Sequence, residues 1–351
     1  MITIFTPSFA DEADTNAQNL TVKEVVARLD SGKAAVTMLH EGAVDPRIAA
    51  RPNTRLLHWH KHGNTVRTMC HLLGRPPDVY FFPREGPLDA AFLSLRPKLR
   101  LKTALVTYIV TGGLYFEPYP SVRVRNIREA DTVLANNTYL SQLLHEKMGV
   151  NAGIVYDGID RRYFFPPIPG RNSSRAVSVL FAGSLRSYKR VPLVVQQAAR
   201  WPQVQFRIAG MGEEEQKCRM LASDLRCSNV EFLGHLPSPR VGEEMRRADI
   251  FFFPSILEGH PQVLGQAAAC GLPSLAMNIY RPDYVVNGKT GFLSDSDADL
   301  FEKLDFLIGD SKQRQAMGEA AVTHVRKFDW DGIAAQWLEV FEEVVARRQR
   351  H

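Results

Sequence analysis

The sequence predicts an α/β protein of two doubly wound halves, each a parallel sheet with helices on both faces. Three observations carry that prediction. Short β-branched or apolar runs alternate with helical patterns from the first residue onward, which is how βαβ units read in sequence. At 351 residues the chain exceeds what one ordinary core holds, so about two domains are expected. The alternation breaks once, in RRYFFPPIPGRNSSR (161–175), a stretch rich in Pro, Ser and Gly without a sustained period.

In the first half, strands are expected near 2–6, 34–39, 54–59, 78–82, 103–109, 132–135 and 152–156. A helix from about Thr21 is suggested by the capping-box spacing of Thr21 and Glu24 ahead of Val25, Val26 and Leu29. The second half restarts with the strand Val177 to Ala182, and further strands are expected near 204–209, 230–233, 250–253 and 274–276. An amphipathic helix around Ile333 to Val345 closes the chain. The expected domains are residues 1–165 and 166–329. A last helix, 330–351, is expected to pack back toward the first. In doubly wound sheets, ligands sit at the carboxyl ends of strands, and two such halves would place their site in the cleft between them.

Composition excludes several classes. Hydrophobic residues at 45% and charged residues at 23% are ordinary for a globular chain and argue against disorder or a coiled coil. No apolar run approaches a bilayer span, and Met1 to Phe5 enter a strand without a basic segment, so a cytoplasmic protein without an export signal is expected. Cys70, Cys218, Cys227 and Cys270 are far apart with no C-x2-C pair, which suggests neither zinc nor a disulfide framework. Of the net charge of +5, most lies in the first half, around Arg96, Lys98, Arg100 and Lys102 and again at Arg123, Arg125 and Arg128. Such clusters suit a solvated surface, or peripheral contact with an anionic membrane at its inner face. Nucleic acid is not expected, since no aromatic-basic interleaving accompanies them.

Several blocks in the second half appear in a recognisable order: FAGSLRSYKR (181–190), FRIAGMGEEEQ (206–216), VEFLGHL (230–236), ADIFFFPSILEGHPQVLGQAAACGLPSLA (248–276) and VVNGKTGFL (285–293). YDGIDRRYFFPP (156–167) precedes them, and FDWDGIAAQWLEVFEEV follows. This ordered set resembles glycosyltransferase family 4, of the GT-B fold. The resemblance implies two Rossmann-like domains facing each other across a cleft and transfer of a sugar, with retention of configuration, from a nucleotide-diphosphate sugar to a glycan, lipid or small-molecule acceptor. No further cofactor and no metal would be required.

What the resemblance assigns can be checked against chemistry. A departing diphosphate gathers negative charge that the site must neutralise. Lys189, six residues after Gly183, matches the family's phosphate-binding lysine. The family usually has arginine directly after that glycine; here Ser184 stands there, and Arg186 is the candidate substitute. Glu258 opens the family's E-x7-E element, whose first glutamate contacts the donor sugar and whose second holds the ribose. The second position is Gln266, which keeps hydrogen bonding but loses a charge-assisted bond, a difference of roughly 1 kcal/mol. Glu258, Lys189 and Arg186 are thus the expected catalytic set. Gly183, Ser184, His235, Gly259, His260, Gln262, Val263 and Gln266 are the expected donor-binding set, with Pro261 removing one amide from the loop. Where the family has a histidine beyond a middle strand of the first domain, this chain has Ile109 to Thr111; Thr111 and Gly112, with Thr15 and Asn16 from the first loop, are the expected cleft residues there.

Other patterns read as coincidence. Asp295, Asp297 and Asp299 suit helix capping better than metal. His58, His60 and His62 lack a carboxylate or cysteine at a fixed offset. Lys289, Thr290 and Gly291 lack the S-x-x-K partner of a β-lactamase, and Gly210 and Gly212 are a lone pair, poor evidence for a dinucleotide. The rival reading from another class is a catalytically silent GT-B protein that binds a glycan or activates a partner enzyme; Ser184, Gln266 and the absent histidine favour it.

Overall fold

The computed structural model describes residues 1–12, 17–59, 64–84, 86–110, 121–167 and 176–350. They form two compact units, Met1–Asp157 with Trp330–His351, and Gly158–Asp329.

The first unit is built on seven parallel strands: β1 (Ile2–Phe9), β2 (Ala34–His40), β3 (Thr54–His58), β4 (Val79–Phe81), β5 (Ala104–Ile109), β6 (Thr132–Ala135) and β7 (Gly153–Ile154), in the order β3-β2-β1-β4-β5-β6-β7. Central strands buried on both faces read as continuous apolar runs, and β5 (ALVTYI) is buried along its whole length. The helix Trp330–Arg350 completes this unit. Trp337 is wholly buried, with its ring 4.7 Å from Phe81 and 4.9 Å from Tyr108. Arg348, near the helix end, pairs with Asp131 at 3.1 Å.

The second unit holds six parallel strands: β8 (Ser178–Ala182), β9 (Gln205–Ala209), β10 (Val230–Gly234), β11 (Ile250–Phe253), β12 (Ser274–Met277) and β13 (Gly291–Ser294), in the order β10-β9-β8-β11-β12-β13. Strand order reverses between β8 and β11, the place where an open α/β sheet leaves a crevice at its carboxyl edge.

The structure departs from the sequence reading in three places. The chain changes unit at Asp157/Gly158, ahead of the Pro-rich stretch, because the first part of that stretch packs into the second unit. There the Ile159 amide donates to Phe328, and the Tyr163 carbonyl accepts from Arg246 at 2.7 Å while lying where a Cβ on Gly242 would collide. The remainder of the stretch, 168–175, lies outside the described residues. Secondly, Thr21 does not begin a helix. The helix runs Ala17–Arg28, and the buried Thr21 hydroxyl donates to Asp157 at 3.1 Å. Thirdly, Arg96 is no surface cation: it is buried, pairs with Asp131 and donates to the Thr103 carbonyl at 2.9 Å. Arg125 is likewise engaged, by Glu129 and Ser94. Lys98, Arg100, Lys102 and Arg128 remain exposed.

Candidate functional site

The crevice in the second unit is a cavity of about 610 Å³ at the carboxyl edge of β8, β9, β10 and β11. Its floor requires glycine. Gly183 (φ 154°) and Gly210 (φ 142°) follow β8 and β9, and a Cβ on Gly210 would overlap the Gly183 carbonyl. Gly234 (φ 66°) ends β10, and its carbonyl accepts from the Gly210 amide at 2.7 Å. Three strand ends are thereby drawn together with no side chain between them. Gly210, set aside in sequence with Gly212 as a lone glycine pair, lines this cavity together with Met211, His235 and Leu236.

Beyond Gly183 the backbone is pinned by Leu185, whose side chain is buried and whose amide donates to the Met211 carbonyl at 3.0 Å. A 3-10 turn, Ser187–Lys189, then delivers Lys189 to the wall, and Arg190 (φ 57°) redirects the chain into the helix Val191–Arg200. The Lys189 ammonium pairs with Glu258 and lies 4.9 Å from the Phe253 ring centroid. Glu258 comes from the loop after β11. Its Oε1 also accepts from the Ser255 hydroxyl at 2.5 Å. The two loops are stitched together by the Ile256 amide, which donates to the Tyr188 carbonyl at 3.0 Å. Lysine and glutamate are therefore held from opposite sides of the reversal point, each mostly buried yet on the cavity wall.

Next comes the helix Gln262–Ala269, entered through Pro261. The first-turn amides of an α-helix have no intrahelical acceptor and carry partial positive charge, so Gln262 and Val263 add an anion-compatible wall beside Lys189. Gln266 lies one turn further along the same wall. An ammonium, a carboxylate and helix-terminal amides around one cavity can accommodate a phosphorylated polar ligand whose sugar-like hydroxyls meet the carboxylate.

Of the residues expected from sequence, the cavity brings together Gly183, Ser184, Lys189, His235, Glu258, Gln262, Val263 and Gln266. Three others stand elsewhere. Arg186 is exposed and off the cavity wall, since Leu185 turns inward and the next side chain must turn out. Gly259 is not part of the wall. His260 points into the core, where its ring stacks on Tyr284 at 4.0 Å, and burial pushes its pKa down to about 3. Thr15, Asn16, Thr111 and Gly112 lie outside the described residues, as do His60 and His62. Among the described residues no group of three or more metal-ligating side chains forms: Asp297 pairs with Arg190, Asp299 with Lys303, and Asp295 accepts from Asn278. Ser255, which holds Glu258, was missed. For Ser255 a local signal existed, a hydroxyl three residues before the loop glutamate.

His260 carries a stability prediction. The folded protein keeps its imidazole neutral down to about pH 3, whereas the unfolded chain protonates near 6.5, so the contribution is whole above 6.5 and is lost as pH falls from there toward 3. The expected slope from this residue alone is about 1.4 kcal/mol per pH unit. Thermal melting between pH 7 and 5 should fall more steeply for wild type than for His260→Phe; parallel curves would refute the assignment.

The family model for group 1 glycosyl transferases matches residues 170–324. An uncharacterized glycosyltransferase of Methanocaldococcus jannaschii is 25% identical over 272 residues, 76% of this chain and 74% of its own. A D-inositol 3-phosphate glycosyltransferase of Corynebacterium jeikeium is 33% identical over 180 residues, 47% of this chain. The match spans only 43% of that relative's length. Among solved structures, Anabaena HepE in complex with UDP and glucose superposes with a TM-score of 0.76 at 17% identity, covering 98% of this chain and 100% of that one. Sucrose-phosphate synthase from Thermosynechococcus elongatus gives 0.79 at 16%, covering 99% and 100%. At such identities the likeness is one of fold, and the fold is GT-B: two Rossmann-like units on parallel sheets of seven and six strands.

Proposed function

We propose, from the premise that residues 170–324 match group 1 glycosyl transferases within a GT-B chain, that this protein transfers a sugar from a nucleotide-diphosphate sugar to a glycan, lipid-linked or small-molecule acceptor, with retention of configuration in the manner of family 4. The observation that carries the reading is the Lys189–Glu258 pair beside the helix start at Gln262, on one cavity. Lys189 and the helix-terminal amides take the diphosphate, Glu258 takes the sugar, and Gln266 takes the ribose. During transfer the acceptor oxygen bonds to the anomeric carbon as the carbon–phosphate-oxygen bond breaks, and the acceptor's proton passes to the leaving phosphate oxygen on the same face. That route uses no protein nucleophile, and the charge is met by Lys189 and the amides without a metal in the scheme. The base, sugar and acceptor are open to assay.

Thermal-shift and calorimetric titration with nucleoside diphosphates and nucleotide sugars tests the reading. A ligand at 100 times its dissociation constant should stabilise the second unit by about 2.7 kcal/mol. Absence of binding at millimolar concentration, with both units folded, refutes the transferase reading and leaves the silent glycan-binding or partner-activating protein.

The cytoplasmic placement and membrane contact are proposals of the same kind. No helix among the described residues is long and apolar enough to cross a membrane. Lys98, Arg100 and Lys102 are exposed around Leu99, itself 51% exposed. Each cation near an anionic surface contributes about 1 kcal/mol and is screened by salt. Sedimentation with phosphatidylserine-containing vesicles should therefore exceed that with phosphatidylcholine alone and fall as salt rises. Equal partition to both would make the cluster an ordinary surface.

A further inference from the structure

Glu258 is held unevenly. Both Lys189 and Ser255 donate to its Oε1, and Oε2 has no partner among the described residues. Such a carboxylate is oriented from one side only. If the donor's diphosphate recruits Lys189, the stronger of the two donors leaves, and a largely buried anion would keep only a serine hydroxyl.

The neighbouring loop holds a candidate replacement. β12 pairs with β11 in register, Ala276 against Phe253, so the loops that follow, with Tyr280 on one and Glu258 on the other, leave the same sheet edge side by side. Tyr280 closes the 3-10 turn Asn278–Tyr280; its ring is 2% exposed, and its hydroxyl is buried with no hydrogen-bond partner among the described residues. A buried hydroxyl without a partner costs free energy that phenylalanine would avoid. Burial and the negative charge of Glu258 both push the ionisation of Tyr280 well upward, so the hydroxyl keeps its proton and remains a donor.

We propose that Tyr280 is a positioning residue: its hydroxyl donates to the Glu258 carboxylate once the donor's diphosphate has drawn Lys189 away, and keeps that carboxylate ionised and aimed at the sugar. The inference rests on the transferase reading above. It assigns Lys189 two successive partners, Glu258 in the free protein and the diphosphate in the complex, with Tyr280 filling the vacated place. Tyr280, Glu258 and Lys189 all lie within the second unit.

The test is Tyr280→Phe in the full chain, with UDP and GDP for binding and with UDP-glucose, UDP-N-acetylglucosamine and GDP-mannose as donors for hydrolysis and transfer. A melting temperature equal to or above wild type establishes folding, since the change removes only the unpartnered hydroxyl. The expected result is bare-nucleotide affinity within about twofold of wild type, an unchanged KM, and kcat lowered about tenfold or more, the loss typical of one hydrogen bond to a charged group. The acid limb of the kcat profile, which reports the complex, should move to higher pH, because a carboxylate that loses a donor is easier to protonate. In a Glu258→Gln background, Tyr280→Phe should add no further loss. A folded Tyr280→Phe with wild-type kcat and pH profile overturns this inference and leaves the transferase reading standing. A wild-type protein that binds neither nucleotide and hydrolyses none of the three donors overturns both.

Discussion

Glu258→Ala should lower donor turnover by about 10²- to 10³-fold, or about 3–4 kcal/mol, while binding bare nucleoside diphosphate as well as wild type or better. The first half of the expectation follows from placing the carboxylate against the sugar, where charge and geometry change most as the anomeric bond breaks. An interaction made there is felt in kcat rather than in ground-state affinity. The second half comes from the ion pair. In the free protein the Lys189 ammonium is engaged by Glu258. Removing the carboxylate frees the cation for phosphate and removes a like-charged neighbour. Gln266 provides the contrast. One turn into the helix and on the same wall, it would meet only the ribose, so Gln266→Ala should weaken nucleoside diphosphate and nucleotide sugar by the same factor, roughly 1 kcal/mol, and Gln266→Glu should equal or improve on wild type. Calorimetry with both ligands, alongside donor hydrolysis, separates the two patterns. Equal losses for both residues in both assays would remove Glu258 from the sugar.

Lys189→Ala should weaken nucleoside diphosphate binding by about 1.5–3 kcal/mol, the usual contribution of a hydrogen bond to a charged group. Among the residues lining the cavity, Lys189 is the lysine or arginine present. Arg186 is exposed and away from the wall, so on the proposed reading it does not share the task. Arg186→Ala should therefore change affinity by less than about 0.5 kcal/mol, as ordinary surface substitutions do. Calorimetric titration of both variants decides it. Unchanged affinity in Lys189→Ala would remove the lysine from the diphosphate, and a large loss in Arg186→Ala would show that the loop rearranges on binding to supply the missing arginine.

Much of the second unit was legible because its information is local. A strand buried on both faces reads as a short, mostly apolar run, and β8, β11 and β12 each do, whereas β9 (QFRIA) alternates. The loops begin where those runs stop, and the resemblance to a known family is what singled out the glycine, lysine and glutamate on them. His260 sits between two cavity-lining neighbours, Pro261 and Glu258 nearby in sequence, and looked equivalent to them. What turned it inward is Tyr284, 24 positions away, which also lies so close to Gly265 that a Cβ there would stand 2.8 Å from its ring. Arg96 read as part of a basic cluster, and it is buried because Asp131 and the Thr103 carbonyl receive it.

By itself the sequence determined the class of fold and the positions of most strands, and through its ordered family resemblance it pointed to loop residues that line one cavity. These depend on burial pattern and on chemistry carried within a few residues. Tertiary structure alone decided which unit receives the segment after Asp157, that Thr21 lies inside a helix and bonds Asp157, that Lys189 is paired with Glu258 in the free protein, and that the Tyr280 hydroxyl is buried without a partner among the described residues. Each of these is set by contact between side chains tens of residues or more apart in the chain, and the free energy of such a contact depends on the burial and orientation that only the folded packing supplies.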